Sequence, residues 1–149
     1  TEEQFYCAIA SSFMLSADNA HAVHPHIPQK TDATNCVYMN EGIVVKSHAG
    51  QKYTSDAVSV AVFKDLCKKA NVPVQFFANR SDEAGGSTLG NIAMAQVSMN
   101  SVDIGLPQLA MHSTYETAGI KDTYYMIQVM TEFFNCHISE VNSHSLKVD

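Results

Sequence analysis

Short apolar runs alternate with amphipathic segments along this chain, and that alternation predicts an α/β fold. Three observations carry the prediction. Residues 42–48, GIVVKSH, and 73–79, PVQFFAN, are brief β-branched and aromatic runs of strand length. Between them, Val58, Val62, Leu66 and Ala70 recur at helical spacing through residues 55–72. At 149 residues and 46% hydrophobic, the chain is long enough for one domain with a real core. Strand and helix in turn read as a parallel or mixed sheet covered on both faces.

In chain order, residues 2–12 read as a helix with acidic residues in its first turn and Phe5, Ile9 and Phe13 on one side. Residues 13–18, FMLSAD, form a short buried strand ending in a carboxylate. From Asn19 to Asn40, Pro25, Pro28 and several polar residues suggest a long loop, of a length that is usually functional or disordered. The helix of residues 55–72 is capped by Ser55 or Asp56 and ends on a basic turn. A Gly-rich turn runs into a helix over residues 85–99, a strand follows at 101–107, and a long helix spans about 117–134. Residues 1–136 are thus read as one domain, and 137–149 as a polar, loosely ordered C-terminal tail.

Nine Lys and Arg stand against fifteen Asp and Glu, a net charge of −6. That balance argues against nucleic acid as a partner, because such binding neutralises phosphates with basic side chains. No apolar run reaches eighteen residues, so no membrane partner is expected. Nor does TEEQFYCAIA carry the basic n-region of a signal peptide. The chain opens directly on helical sequence without Met, and the expectation is a chain that began earlier. Cys7, Cys36, Cys67 and Cys136 show no CxxC spacing, and each lies in or beside an apolar stretch. The reading is reduced, buried thiols in a cytoplasmic protein.

Individually, the residues able to do chemistry leave two readings open. Asp18 ends an apolar strand, where open α/β sheets place catalytic groups, but a solvated turn-capping Asp looks the same. His21 and His24 would share a helix face and one metal, yet Pro25 argues against a helix there. With His26 they form an alternative zinc-binding loop. GGSTLG (85–90) has the glycines of an anion-binding nest without the lysine of a nucleotide loop, so a tight turn is equally served. His112 is either a capping or core histidine or a ligand. Lys46 interrupts an apolar strand, so its ammonium must reach solvent or be paired within a site.

In sequence, SADNAHAVHP, GIVVKSHAGQKYTSDAV, VPVQFFANRSDEAGGSTLG and VDIGLPQLAMHSTYE resemble successive signature segments of the aspartyl aminopeptidase and aminopeptidase I family. The resemblance extends from Phe13 to Phe134. It implies a three-layer α/β/α sandwich of the zinc-exopeptidase type and a cytoplasmic or vacuolar dinuclear zinc enzyme acting on peptide substrates. Asp18 and His112 match two metal-ligand positions, one for each of two zinc ions. Lys46 and Tyr53 match residues that approach the bound peptide. His21 and His24 match histidines assigned to structure and subunit packing. Arg80, Asp82, Gly86, Thr88 and Gly90 match a segment that shapes the loop beside the active site. Tyr115 stands where many aspartyl aminopeptidases have arginine, which opens the preference for acidic N-terminal residues to broader specificity.

The family's first histidine ligand, bridging aspartate and paired glutamates, including the general base, lie upstream of the segment matching SADNAHAVHP, and its inserted dimerisation domain has no match here. The expectation is therefore the C-terminal portion of a catalytic domain, inactive alone. Its partners would be the upstream portion of that domain and further copies in a large homo-oligomer. The alternative is a non-catalytic scaffold that retains the peptidase fold.

Overall fold

The computed structural model describes residues 1–142 and 145–149. Helix α1 (Glu2–Ala10) opens on a capping box. The Thr1 side chain accepts the Gln4 N–H, and Gln4 reaches back to Thr1. It ends two residues before the sequence pattern does, with Ser12 Oγ donating to the Ala8 carbonyl at 2.7 Å. Phe13 then leaves the helix and starts strand β1 (Phe13–Ala17). No residue of α1 is buried, and Phe5 and Tyr6 are exposed.

The segment expected as a loop holds strand β2 (Ala20–His21) and a single 3₁₀ turn at Pro28–Lys30. Then come β3 (Ile43–Ser47), α2 (Ala57–Lys69), β4 (Val74–Ala78) and α3 (Leu89–Gln96). The Asp56 carboxylate caps α2 through the Ser59 N–H at 2.7 Å. Strand β5 (Asn100–Gly105) is followed at once by β6 (Pro107–Leu109), so the single strand expected at 101–107 is two. Strand β7 (Thr117–Ala118) precedes α4 (Ile120–Asn135), which therefore begins three residues later than the pattern suggested.

The main sheet has the order β1-β5-β3-β4. Strand β1 runs parallel to β5, β3 parallel to β4, and β5 meets β3 antiparallel, so the sheet is mixed. Alternation along the strands gives it two unlike faces. Ile43, Val45, Val102 and Ile104 point to one face, where Val62, Phe63, Leu66 and Cys67 of α2 and Val129 of α4 close the core. The stripe of α2 is rotated from the simplest reading: Val62 and Leu66 are buried, but Val58 is 37% exposed. On the other face lie Ser16, Lys46, Ser101 and Asp103, with α3 above them and a small cluster of Ala20, Val37, Val44, Tyr53 and Phe77 alongside. Helices on opposite faces make the arrangement an α/β/α sandwich.

Residues 137–149 do not form the loose tail expected of them. Strands β8 (Ile138–Asn142) and β9 (Ser145–Val148) pair antiparallel, and Ile138, Leu146 and Val148 pack on the main core. Lys69 Nζ fastens the ribbon to α2 through the Val148 carbonyl at 2.7 Å. The alternation hidden in HISEVNSHSLKVD lets a polar segment keep one apolar edge. Residues 143 and 144, within that expected tail, lie outside the described residues. The four cysteines are free, as expected, but only Cys67 is buried; Cys7 is exposed, and Cys36 and Cys136 are intermediate. Burial pushes the Cys67 thiol up to about 12, which keeps it protonated and inert.

Candidate functional site

The polar face of the sheet is organised around Asp103, which has no exposed surface. Its Oδ1 accepts from Ser16 Oγ at 2.5 Å and Thr88 Oγ1 at 2.7 Å. Its Oδ2 accepts from the Thr54 N–H at 2.6 Å and Thr54 Oγ1 at 3.0 Å. One carboxylate thus ties together β1, the loop before α2 and the N-terminus of α3. Four donors offset the cost of burying its charge. Thr88 stands at the α3 N-cap but spends its hydroxyl on Asp103 and makes no capping bond. GGSTLG therefore serves as a tight turn anchored from below. Gly90 is needed where α3 crosses β1, because a Cβ there would lie 2.7 Å from Ser16 Oγ and 2.9 Å from Asp103 Oδ2.

Asp103 is the residue that the motif reading passed over. A carboxylate in the middle of SVDIG, where every neighbour is buried, was the available signal.

Asp18 stands just past the C-terminal end of β1, exposed, with its N–H held by the Ile104 carbonyl at 3.0 Å. Its Oδ1 accepts the Asn19 N–H at 2.8 Å. Gly105 makes this turn possible, since any Cβ there would overlap the Asp18 carbonyl oxygen. Beside it Lys46 is buried to 2% exposure, so the strand-end exit to solvent is not used. Its Nζ donates to the carbonyls of Asp18 at 3.3 Å and Asn19 at 3.5 Å and sits 5.1 Å from the centroid of the Tyr53 ring. Burial lowers the lysine's affinity for its proton, and the charges of Asp18 and Asp103 partly restore it. Tyr53 is buried between His48 and Phe77, and burial, with Asp103 and Asp18, raises its hydroxyl above the ordinary value of 10.0.

His112 occupies the turn after β6, exposed, with a left-handed φ of 67°. Its N–H donates to Glu116 Oε1 at 2.6 Å, which pins that turn. The β2–β6 pairing brings His21 opposite Gln108. Loss of solvent lowers the His21 imidazole below 6.5, and the neighbouring charges of His112 and Lys46 lower it further. Lys46 thus touches the Asp18 backbone, and the charges of Lys46 and His112 reach the His21 ring. His24 and His26 are not part of this group. Their rings meet edge to face with centroids 5.8 Å apart, and His24 Nδ1 accepts the His26 N–H.

Beyond His21 and His24 a cavity of about 360 Å³ opens, bounded also by Arg80, Gly86, Gln108 and Met111. Arg80 pairs with Asp82 and donates to the Gln29 carbonyl, which joins two of the surrounding loops. Tyr115 is 84% exposed, and its N–H donates to Ser113 Oγ.

An exposed carboxylate and an exposed imidazole are donors suited to zinc. Among the described residues, however, no three His, Cys, Asp or Glu side chains are grouped so that they could hold one metal ion. Among the described residues, a zinc-binding loop built from His21, His24 and His26 is therefore not formed.

Comparison with known proteins extends this picture. The family described as aminopeptidase I zinc metalloprotease (M18) matches residues 1–134. A probable M18 family aminopeptidase 2 of Clostridium novyi is 53% identical over 133 residues, which is 89% of this chain and 31% of the relative. Among solved structures, the Ape4 and Nbr1 complex superposes with a TM-score of 0.88 at 36% identity, covering 90% of this chain and 26% of that one. The S. cerevisiae mApe1 dodecamer gives 0.75 at 26% identity, covering 87% and 28%. The chain thus spans about a third of the length of the curated relatives it matches.

Proposed function

Because this chain belongs to the aminopeptidase I zinc metalloprotease family (M18), we propose that it is the C-terminal portion of a zinc aminopeptidase catalytic domain and supplies half of a dinuclear site. The observation that carries this reading is the placement of the buried Lys46 against the Asp18 carbonyl at the C-terminal end of β1, with Asp18 exposed there and His112 exposed on the turn after the strand that pairs with His21.

In this reading Asp18 gives an oxygen to one zinc ion and His112 a nitrogen to the other. Bound zinc supplies Lewis-acid polarisation of the scissile carbonyl and an activated water. Lys46 is the specificity group. Among the described residues its ammonium donates to two carbonyl oxygens, lies over the Tyr53 ring and forms no salt bridge, so an anionic side chain at the peptide's N-terminus would give it a carboxylate partner. The Tyr53 ring lies 5.1 Å from the ammonium and helps to hold it in place. The general-base glutamate belongs to the portion of the domain that this chain does not span, so the isolated chain is inactive. Kinship with a dodecamer supports a homo-oligomer.

The test is a chimera in which this chain replaces the matching third of the Clostridium novyi relative. It is assayed with zinc on Asp-, Glu-, Leu- and Ala-p-nitroanilide. Activity that disappears in both Asp18→Ala and His112→Ala is the expected result. Full activity in either variant would overturn the assignment, and an inactive but folded chimera would favour a scaffold.

A further inference from the structure

Tyr53 acts from irregular backbone between β3 and α2, in a loop that turns at His48 and Gln51, where Gln51 takes a left-handed φ of 54°. The rings of His48 and Phe77 pack edge to face on Tyr53, with centroids 6.0 and 6.5 Å away, and set the plane of its ring. Its main chain is fixed by the two residues that follow. Thr54 donates both its N–H and its hydroxyl to Asp103 Oδ2, at 2.6 and 3.0 Å. That hydroxyl has a single proton, so its 3.0 Å contact with Ser101 Oγ is donated by Ser101. Ser55 Oγ accepts the Asp103 N–H at 3.0 Å and donates to the Asp103 carbonyl at 3.4 Å. These bonds are not the cap of α2, which Asp56 and Ser59 make between themselves.

Asp103 is also the cross-strand neighbour of Lys46. Strands β3 and β5 pair Val44 with Gly105 and Val45 with Ile104, and the next step of that register sets Lys46 beside Asp103 on the polar face. A carboxylate offers about four lone-pair sites, and Ser16, Thr88 and the two donors of Thr54 occupy them. The Lys46 ammonium turns instead to the carbonyls of Asp18 and Asn19 and to the Tyr53 ring. The Tyr53 loop is joined to the GGSTLG turn as well, through Lys52 Nζ and the Gly85 carbonyl at 2.8 Å. Both segments are thus fixed to one carboxylate and to each other. We propose that Asp103 is a positioning residue for substrate selection: through Thr54 and Ser55 it fixes Tyr53, and through the Tyr53 ring it aims the Lys46 ammonium at the substrate's acidic side chain. A group on a loop is placed accurately only when its backbone is held by such supporting bonds. The inference rests on the reading of Lys46 as the specificity group. It names the residue that makes that group accurate.

The test uses the Clostridium novyi chimera and reads the ratio of kcat/KM for Asp-p-nitroanilide to that for Leu-p-nitroanilide. Thr54→Val sets a methyl against a buried carboxylate oxygen and is expected to lower the ratio roughly tenfold, the scale of one hydrogen bond to a charged group. Thr54→Ser, which keeps the hydroxyl, restores it. Ser16→Ala removes a bond to the other Asp103 oxygen and leaves the ratio unchanged, whereas a merely structural role for Asp103 would lower it in both variants alike. A second readout needs no turnover. The ε-methylene protons of Lys46, observed by lysine-selective labelling in chelator, are shifted upfield by the Tyr53 ring. Thr54→Val is expected to move them toward the free-lysine position, and Ser16→Ala to leave them in place. An unmoved resonance in Thr54→Val overturns the proposal, as does an equal effect of Ser16→Ala on either readout. A Thr54→Val chimera that keeps its ratio while Lys46→Met loses it overturns the proposal alone. A ratio untouched by Lys46→Met overturns the specificity reading and this proposal with it.

Discussion

The two faces of the main sheet are built from the same four strands and obey different physics. On one, Ile43, Val45, Val102 and Ile104 meet Phe63, Leu66 and Val129, and every contact is interchangeable in kind. On the other, Asp103, Lys46, Ser16 and Thr88 are buried just as deeply, but each is held by particular partners at particular distances. The apolar face gains stability from area removed from water and tolerates substitutions of similar volume. The polar face gains little net stability from burial, because desolvation offsets most of the hydrogen bonding. It fixes positions instead. The lesson is a division of labour within one sheet: one side holds the fold together, the other sets out the groups at its end.

Four changes sharpen or break that contrast. The largest effect is expected from Phe63→Ala on the apolar face, which opens a cavity in the core and costs about 3–5 kcal/mol in urea unfolding. Asp103→Asn should cost less, about 2 kcal/mol, because one amide oxygen cannot accept from four donors and a buried NH2 would face hydroxyls. Its distinguishing effect is faster exchange of the Thr54 amide while the α2 amides stay protected. Equal deprotection of α2 would mean that the two faces are not separable.

Lys46→Met is expected to change stability by less than about 1 kcal/mol, since a buried cation is exchanged for an apolar chain of similar length. On the proposed function, the same substitution in the Clostridium novyi chimera should lower activity on Asp and Glu relative to Leu and Ala substrates. A large loss of stability would recast Lys46 as a structural group.

The smallest effect concerns Asp122, which is fully buried and accepts the N–H groups of Asn40 and Gly42 at 2.5 and 3.0 Å. Burial outweighs those bonds and raises the carboxyl above 3.8. In the window above 3.8 the folded chain therefore holds more protons than the unfolded one. Stability falls as pH rises through that window. Urea midpoints should show this decline, and Asp122→Asn should flatten it.

The elements were largely legible because hydrophobic periodicity is a local property. GIVVKS and VQFFA announced β3 and β4, and the cap and stripe of α2 were present in residues 55–72. Where the reading failed, the deciding interaction was distant. HISEVN and SLKV look polar until each finds the other and the flank of α2. The exposed face of α1 and the outer face of α4 carry apolar residues with no cover among the described residues, so burial could not follow from pattern alone. At the site, Asp18, Lys46, Tyr53 and His112 could each be picked out as residues capable of chemistry, and the motifs in order gave them roles. Asp103 went unnoticed because a carboxylate within an apolar strand has no motif around it.

By itself, then, the sequence determined the α/β class, the order of most elements and the family, because strand and helix periods and motif spacing are written in neighbouring residues. Only the tertiary structure decided that β5 runs antiparallel to β3, that Lys46 is buried against two carbonyls, and that Asp103 anchors three segments lying up to 87 residues away from it. Those facts depend on which distant surfaces meet. A buried charge is tolerable only where such a meeting brings it a partner.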